Sequence, residues 1–221
     1  GLDGFGGRKV DEWSGGQRQR VALARCLVAD TGIILFDEPL ANLDMHLRAA
    51  MVDVFREIHR RTRATIVYVT HDQAEALALA DRVAVLDRGQ LLQVALPTQV
   101  YRSPADTTVA GFVGRSSVVS AEVVSQHDGA ASVRIADHAV TARCRDISSG
   151  TVRVLLRPES LFLSDDGLPA TVVATTYRGP VHELRLKIGT GEEITLDHVD
   201  APAPGTRVHV RVTDAWVIPG A

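Results

Sequence analysis

The strongest pattern in the chain is Ile33-Ile34-Leu35-Phe36, four apolar residues without alternation that end abruptly in Asp37-Glu38-Pro39. Such a run predicts a strand buried on both faces, as in a parallel sheet with helices on either side. A second run, Thr65-Ile66-Val67-Tyr68-Val69-Thr70, reads as another strand and ends at His71. Between them Leu47, Met51, Val52, Phe55 and Ile58 recur at helical spacing, the buried stripe of a helix from Asp44 to about Arg61. An alanine-rich helix follows from Asp72 to about Ala80. Val83–Leu86 and Leu91–Val94 read as a hairpin around the turn Asp87-Arg88-Gly89-Gln90. Pro97 and Pro104 bracket a short helix over Thr98–Arg102, and Thr107–Phe112 predicts one more.

From about Val113 the texture changes to short alternating runs: Val133/Ile135, Val152/Val154, Val181–Ile188, Ile194–Leu196, Val208/Val210/Val212 and Trp216–Ile218. Turn residues separate them, among them Asp128-Gly129 and Gly189-Thr190-Gly191. Short strands without helical period predict a small β-barrel or sandwich. The expected organisation is therefore an α/β portion over residues 1–113 and a small all-β domain over residues 114–221.

Three features of the α/β portion carry chemistry. In Trp13-Ser14-Gly15-Gly16-Gln17-Arg18-Gln19-Arg20, a serine and two glycines precede the amphipathic segment marked by Val21, Ala22, Leu23, Ala24 and Leu27. That describes a helix N-terminus offering bare N–H groups, a hydroxyl and the positive dipole end to an anion; a plain loop entering a core helix has the same appearance. Asp37 and Glu38 stand at the carboxyl end of a strand, where open α/β sheets bind ligands. One acid facing a Mg²⁺ shell and the next an attacking water is the division of labour that nucleotide hydrolysis needs. His71 ends the second strand in the same way.

These residues resemble the ATP-binding cassette ATPases. Ser14-Gly15-Gly16-Gln17 is similar to the signature motif, Ile33–Glu38 to the Walker B strand, Leu40-Ala41-Asn42-Leu43-Asp44 to the D-loop, and His71 to the switch histidine. Order and spacing agree over roughly residues 1–113. Trp13 stands where the family usually has leucine, and no G-x-x-x-x-G-K-[ST] phosphate loop occurs. Gly4-Phe5-Gly6-Gly7-Arg8 has neither its spacing nor its ending. In the second half, Leu156-Arg157-Pro158-Glu159 and Tyr177-Arg178-Gly179 resemble the TOBE-type, oligonucleotide-binding-like domain appended to many bacterial importer ATPases.

The resemblance implies a partial P-loop NTPase fold followed by a TOBE domain, within an importer subunit that works with ATP and Mg²⁺. Two subunits would sandwich two ATP molecules head to tail. Asp37 would position the metal through water, Glu38 would take the water's proton, and His71 would hold the γ-phosphate. Ser14, Gly15, Gly16 and Gln17 would complete the partner's nucleotide site, and Asp44 would couple the two sites. The implied partners are a second ATPase subunit, transmembrane permease subunits and, indirectly, a solute-binding protein. The implied place is the cytoplasmic face of a bacterial inner membrane. Lacking the phosphate loop, residues 1–221 alone are expected to be inactive. The compact second half leans the cargo towards ferric iron or polyamine. A DNA-repair or ribosome-associated cassette protein and a non-catalytic regulatory fragment are the alternatives.

Composition narrows this further. A formal net charge of −3 implies no polyanion partner. The β-rich half also lacks a basic stripe and a set of stacking aromatics, so no nucleic-acid partner is expected. Only Lys9 and Lys187 among the 24 basic residues are lysines, which points to codon bias. Cys26 and Cys144 fall in different expected domains and read as reduced, small hydrophobes. The eight histidines are scattered and predict no zinc site. No apolar run approaches membrane-span length, so a membrane role is expected to come through a partner.

Overall fold

In the computed structural model, which describes residues 7, 9–28, 32–41, 43–145 and 149–220, the two apolar runs form a parallel pair. These strands, β1 (Ile33–Asp37) and β2 (Thr65–Val69), run in register from Ile33 opposite Thr65 to Asp37 opposite Val69. They belong to the first of two units into which the chain divides, Gly1–Val83 and Ala84–Ala221. The helices of the first unit are α1 (Gly15–Val28), α2 (Met45–Thr62) and α3 (Gln73–Leu79). Asp44 caps α2 by accepting from Leu47 N at 2.9 Å, and Asp72 caps α3 by accepting from Ala74 N at 2.8 Å, which is why these helices start where the apolar stripes begin.

The core of this unit is Ile34 and Phe36 from β1, with Leu40, Leu43, Met51, Phe55, Ile58 and Ala64. Phe36, Phe55 and Tyr68 meet edge to face, with centroids 4.9–6.3 Å apart. The expectation that β1 is buried on both faces is not met. Ile33 and Leu35 are 62% and 74% exposed, and Val67 and Val69 of β2 are exposed too. Among the described residues the parallel pair carries its apolar cover on one side only, so alternate residues of an unbroken apolar run stand open.

A hairpin, β3 (Val83–Asp87) and β4 (Gln90–Ala95), lies in the second unit from Ala84 on and is followed by two short helices, α4 (Pro97–Arg102) and α5 (Thr107–Phe112). At the hairpin tip Arg88 and Gly89 have φ of 47° and 78°, the paired left-handed conformation of a tight turn that matches strand twist.

Among the described residues ten further strands follow: β5 (Ser117–His127), β6 (Ala130–Ile135), β7 (His138–Arg143), β8 (Thr151–Leu156), β9 (Leu161–Ser164), β10 (Leu168–Tyr177), β11 (His182–Ile188), β12 (Glu193–His198), β13 (Arg207–Val212) and β14 (Ala215–Ile218). Strands β14-β7-β6-β5-β8 close a barrel, and β12-β11-β10-β13-β9 form a five-stranded sheet. Both enclose one core that includes Val133, Ile135, Val154, Leu156, Leu184, Leu186, Leu196 and Cys144. The mixed α/β plus all-β fold class read from the sequence therefore holds.

Residues 84–113, grouped by sequence texture with the α/β portion, pack in the structure with the barrel. Trp216 Nε1 donates to Pro104 O at 3.0 Å. Arg143 donates to Ser103 Oγ at 3.1 Å and to Arg102 O at 2.7 Å, and is paired with Asp214. Arg157, buried, stacks 4.2 Å from the Tyr101 ring centroid and donates to Tyr101 O and Arg115 O at 2.8 and 3.0 Å. Burial pushes its guanidinium down from the usual range. Glu159 accepts from Tyr101 Oη at 2.6 Å, so Arg157 and Glu159 of the Leu-Arg-Pro-Glu stretch act as a clasp on α4. Arg157→Ala removes the donors to two carbonyls, and charged hydrogen bonds are worth about 1.5–3 kcal/mol. The urea midpoint of the chain's β-rich transition is expected to drop accordingly; an unchanged midpoint would refute the clasp.

Acid should loosen the same unit. Hydrogen bonds from Arg115 hold Asp197 below the usual carboxylate range, and those from Arg178 and then Arg115 hold Glu183 there. Burial pushes Asp214 the other way, but Arg143 and Arg102 outweigh it. Depressed folded values stabilise the fold above the unfolded values of about 4 and lose that contribution as pH falls through the folded ones. Melting temperature should be level from pH 7 to 5 and fall below about pH 4; a level profile down to pH 3 would refute it.

Candidate functional site

The register of β1 against β2 places Glu38 beside the end of β2, where Glu38 N donates to Val69 O at 2.9 Å. At this point the chain turns with Glu38 at φ 44°, a left-handed conformation that costs a non-glycine residue and often marks a functional turn. The turn swings the carboxylate to His71, with Nδ1 3.1 Å from Glu38 Oε1. Both side chains are accessible, 47% for Glu38 and 70% for His71. Two residues far apart in sequence thus form an acid–imidazole pair open to solvent at the carboxyl ends of parallel strands. Such a carboxylate can accept a proton from a bound water while the imidazole orients it.

Asp37, one residue earlier, is exposed, and its carboxylate makes no hydrogen bond or ion pair among the described residues. A free, hard oxygen donor suits Mg²⁺, which commonly takes one or two carboxylates together with substrate phosphates and water. No group of three or more His, Cys, Asp or Glu that could hold a metal occurs among the described residues. Asp37 therefore fits a metal held jointly with a bound phosphate.

Ser14 and Gln17 form a reciprocal cap at the start of α1. Gln17 N donates to Ser14 Oγ at 3.3 Å, and Ser14 N donates to Gln17 Oε1 at 2.9 Å. That arrangement leaves the N–H groups of Gly15 and Gly16, at the first turn, without intrahelical acceptors. A Cβ at Gly16 would come within 2.9 Å of Leu47 Cδ2 on α2, whereas one at Gly15 would meet nothing within 4 Å. Gly16 lets the helix start approach α2, and Gly15 keeps its outer face bare. Among the described residues no hydrogen bond or ion pair joins this helix start to Glu38 or His71. Asp44, exposed at the head of α2, spends one oxygen on its cap. Asn42 and, apart from Gly7, the residues of Gly4–Arg8 lie outside the described residues, as does the side chain of Cys26.

A buried network beneath His71 was not anticipated from the sequence. Glu75 is only 4% exposed and accepts from Tyr68 Oη at 2.8 Å and Thr70 Oγ1 at 2.9 Å. Arg48 reaches over from α2 to Asp72 at 2.8 Å. The available signal was the spacing Asp72-x-x-Glu75, a capping-box pattern. In the structure Asp72 N instead donates to Thr70 Oγ1 at 2.9 Å, which frees Glu75 to point inward.

Comparison with known proteins bears directly on this geometry. The family model described as ABC transporter matches residues 1–41, a span that holds Ser14, Asp37 and Glu38, and the TOBE domain model matches residues 154–218. Over its first 41 residues the chain is similar to the ABC transporter family. Among its relatives, the Fe(3+) ions import ATP-binding protein FbpC of Agrobacterium fabrum is 40% identical over 201 residues, 90% of this chain and 57% of the relative. The spermidine/putrescine import ATP-binding protein PotA 1 of Pseudomonas aeruginosa is 39% identical over 203 residues, 88% of this chain and 55% of the relative. FbpC 2 of Rhodococcus jostii is 38% identical over 217 residues, 94% of this chain and 61% of the relative. The chain thus spans little more than half the length of the curated relatives it matches.

Proposed function

We propose that this chain is part of the ATP-hydrolysing subunit of a solute importer, with ferric iron or a polyamine as cargo. The observation that carries the reading is the Glu38–His71 pair, set by the left-handed turn at Glu38 and 3.1 Å apart. Glu38 accepts the proton of the attacking water. His71 engages Glu38 through Nδ1, which leaves Nε2 to face the terminal phosphate of ATP. Asp37 would hold Mg²⁺, which when bound would neutralise charge on the phosphates.

Ser14 and the N–H groups of Gly15 and Gly16 serve the nucleotide of a second subunit, where donors at a helix start stabilise charge on the transferring phosphoryl group. Gln17 holds Ser14 in place for that task. This division fits a site whose two halves make no hydrogen bond to each other within one chain. Asp44 lies on the loop that couples the two nucleotides across the dimer. The sequence-level modules are residues 1–113 for the cassette portion and residues 114–221 for the TOBE part, which regulates or stabilises the assembly. The partners are a second copy, permease subunits and, through them, a solute-binding protein.

No helix among the described residues is long and apolar enough to cross a membrane, and in this reading the subunit attaches peripherally to the cytoplasmic face through the permease. The names of relatives support the choice of cargo. Reconstituted with its cognate permease, the full-length subunit is expected to drive Mg-ATP-dependent uptake of ferric iron or spermidine. Uptake of a sugar and of neither of these would overturn the cargo assignment.

A further inference from the structure

Arg48 lies one turn into α2, where its N–H donates to Asp44 O at 2.9 Å as the first helical hydrogen bond. Its guanidinium meets three segments. Nη2 donates to Leu43 O at 3.4 Å, in the loop that leads to Asp44. Nη1 donates to Asp72 Oδ2 at 2.8 Å, immediately after His71. Nε faces Glu75 Oε1 at 3.7 Å, beyond hydrogen-bond reach, and among the described residues is a buried N–H without a hydrogen-bond partner.

Glu75 in turn holds Thr70, the residue before His71, and Thr70 Oγ1 accepts from Asp72 N. Burial, and then the hydrogen bond to Glu75, push the Tyr68 phenol well up, so it stays a donor to that carboxylate. His71 is thereby held by both neighbours while its own ring is left to Glu38. Among the described residues, the one bond in this network that reaches the Leu43–Asp44 loop runs through Arg48. A flat fork with several donors makes this span; the single ammonium of lysine cannot.

We propose that Arg48 is a positioning residue that couples the Leu43–Asp44 loop to the His71 turn. Movement of the loop towards or away from the opposite subunit then sets the place of His71 against Glu38. The open Nε–Glu75 contact is the slack in the linkage: a shift of less than about 1 Å brings it to hydrogen-bond length. This inference rests on the ATPase reading above.

The test uses the full-length protein with Arg48→Lys and Asp72→Asn, alongside Glu38→Gln. Lysine keeps the positive charge over Glu75 but loses the fork; asparagine keeps the cap on α3 but loses the ion pair. Both variants are expected to lower kcat by on the order of 10- to 100-fold, with the KM for ATP within about two-fold. ATP cooperativity between the two sites should fall towards none, and melting temperature should hold within a few degrees. Wild-type kcat and cooperativity in both variants would overturn the proposal, as would a raised KM with kcat unchanged. If Arg48→Lys does not yield folded protein, Asp72→Asn decides alone. Full turnover in Glu38→Gln would instead remove Glu38 as the base, and absence of Mg-ATP turnover in the unaltered full-length protein would sink the ATPase reading itself, so these failures are distinguishable from that of Arg48.

Discussion

Glu38→Gln in the full-length subunit is expected to cut ATP turnover by about 10²- to 10⁴-fold, the usual worth of a general base, while leaving ATP binding intact. The substitution is nearly isosteric, and the features that place residue 38 do not depend on its charge. Its N–H is bonded to Val69 O, and the left-handed φ of 44° strains glutamine as much as glutamate. The amide oxygen can still meet His71 Nδ1. What is lost is the ability to take a proton from water, a transition-state contribution, so kcat falls and KM does not. Unhydrolysed nucleotide should then hold two subunits together, visible by light scattering as a Mg-ATP-dependent dimer that persists. A variant that stays monomeric with Mg-ATP and turns over at near the wild-type rate would show that Glu38 is not the base.

The parts of this site that were legible in the sequence are those set by local rules. Asp37 and Glu38 announce themselves because an apolar strand stops at them, and Asp44 and Asp72 because a cap precedes an apolar stripe. Ser14-Gly15-Gly16-Gln17 is legible for the same reason, as a helix start, whereas the return bond from Ser14 N to Gln17 Oε1 is seen only in the structure. The contact between Glu38 and His71 needs the parallel register of β1 and β2, which no local pattern contains. The Arg48–Glu75 network was hidden for a different reason. A glutamate at the third position of a helix reads as a cap, and only the hydroxyl of Thr70 taking that role turns it inward.

In the β-rich half the runs given by large residues, such as Val208/Val210/Val212, were visible. β5, β7 and β10 were not, because several of their inward positions are small: Ala121, Ala142 and Ala170 are all buried. Register shifts after Val123 and Val172 also break the alternation. The grouping of residues 84–113 with the barrel depends on Arg143, Arg157 and Trp216, residues of β7, the β8 end and β14, and so on long-range contacts that texture alone does not show.

Ser14→Arg is expected to abolish cooperative ATP hydrolysis in the full-length protein while nucleotide still binds to the subunit's own site. Removal of the cap costs about 0.5–2 kcal/mol of local stability, and Ser14→Ala measures that loss together with the loss of the hydroxyl itself. Arginine adds a long cation at a helix start where Gly15 leaves open space and the N–H groups of Gly15 and Gly16 have no intrahelical acceptors. If those groups serve the opposite subunit's phosphates, the side chain stands between them and the nucleotide, and closure fails. Loss of one oxyanion donor is worth about 10²–10³ in rate, so Ser14→Arg should fall below Ser14→Ala by at least that range. Mixed dimers carrying one Ser14→Arg chain separate the two halves of the site. One composite site should be lost and one retained, because in the proposed arrangement Asp37, Glu38 and His71 of the altered chain would still face an intact Ser14 from its neighbour. Full dimerisation and full turnover with both chains altered would mean that the Ser14 helix start caps α1 and does nothing more.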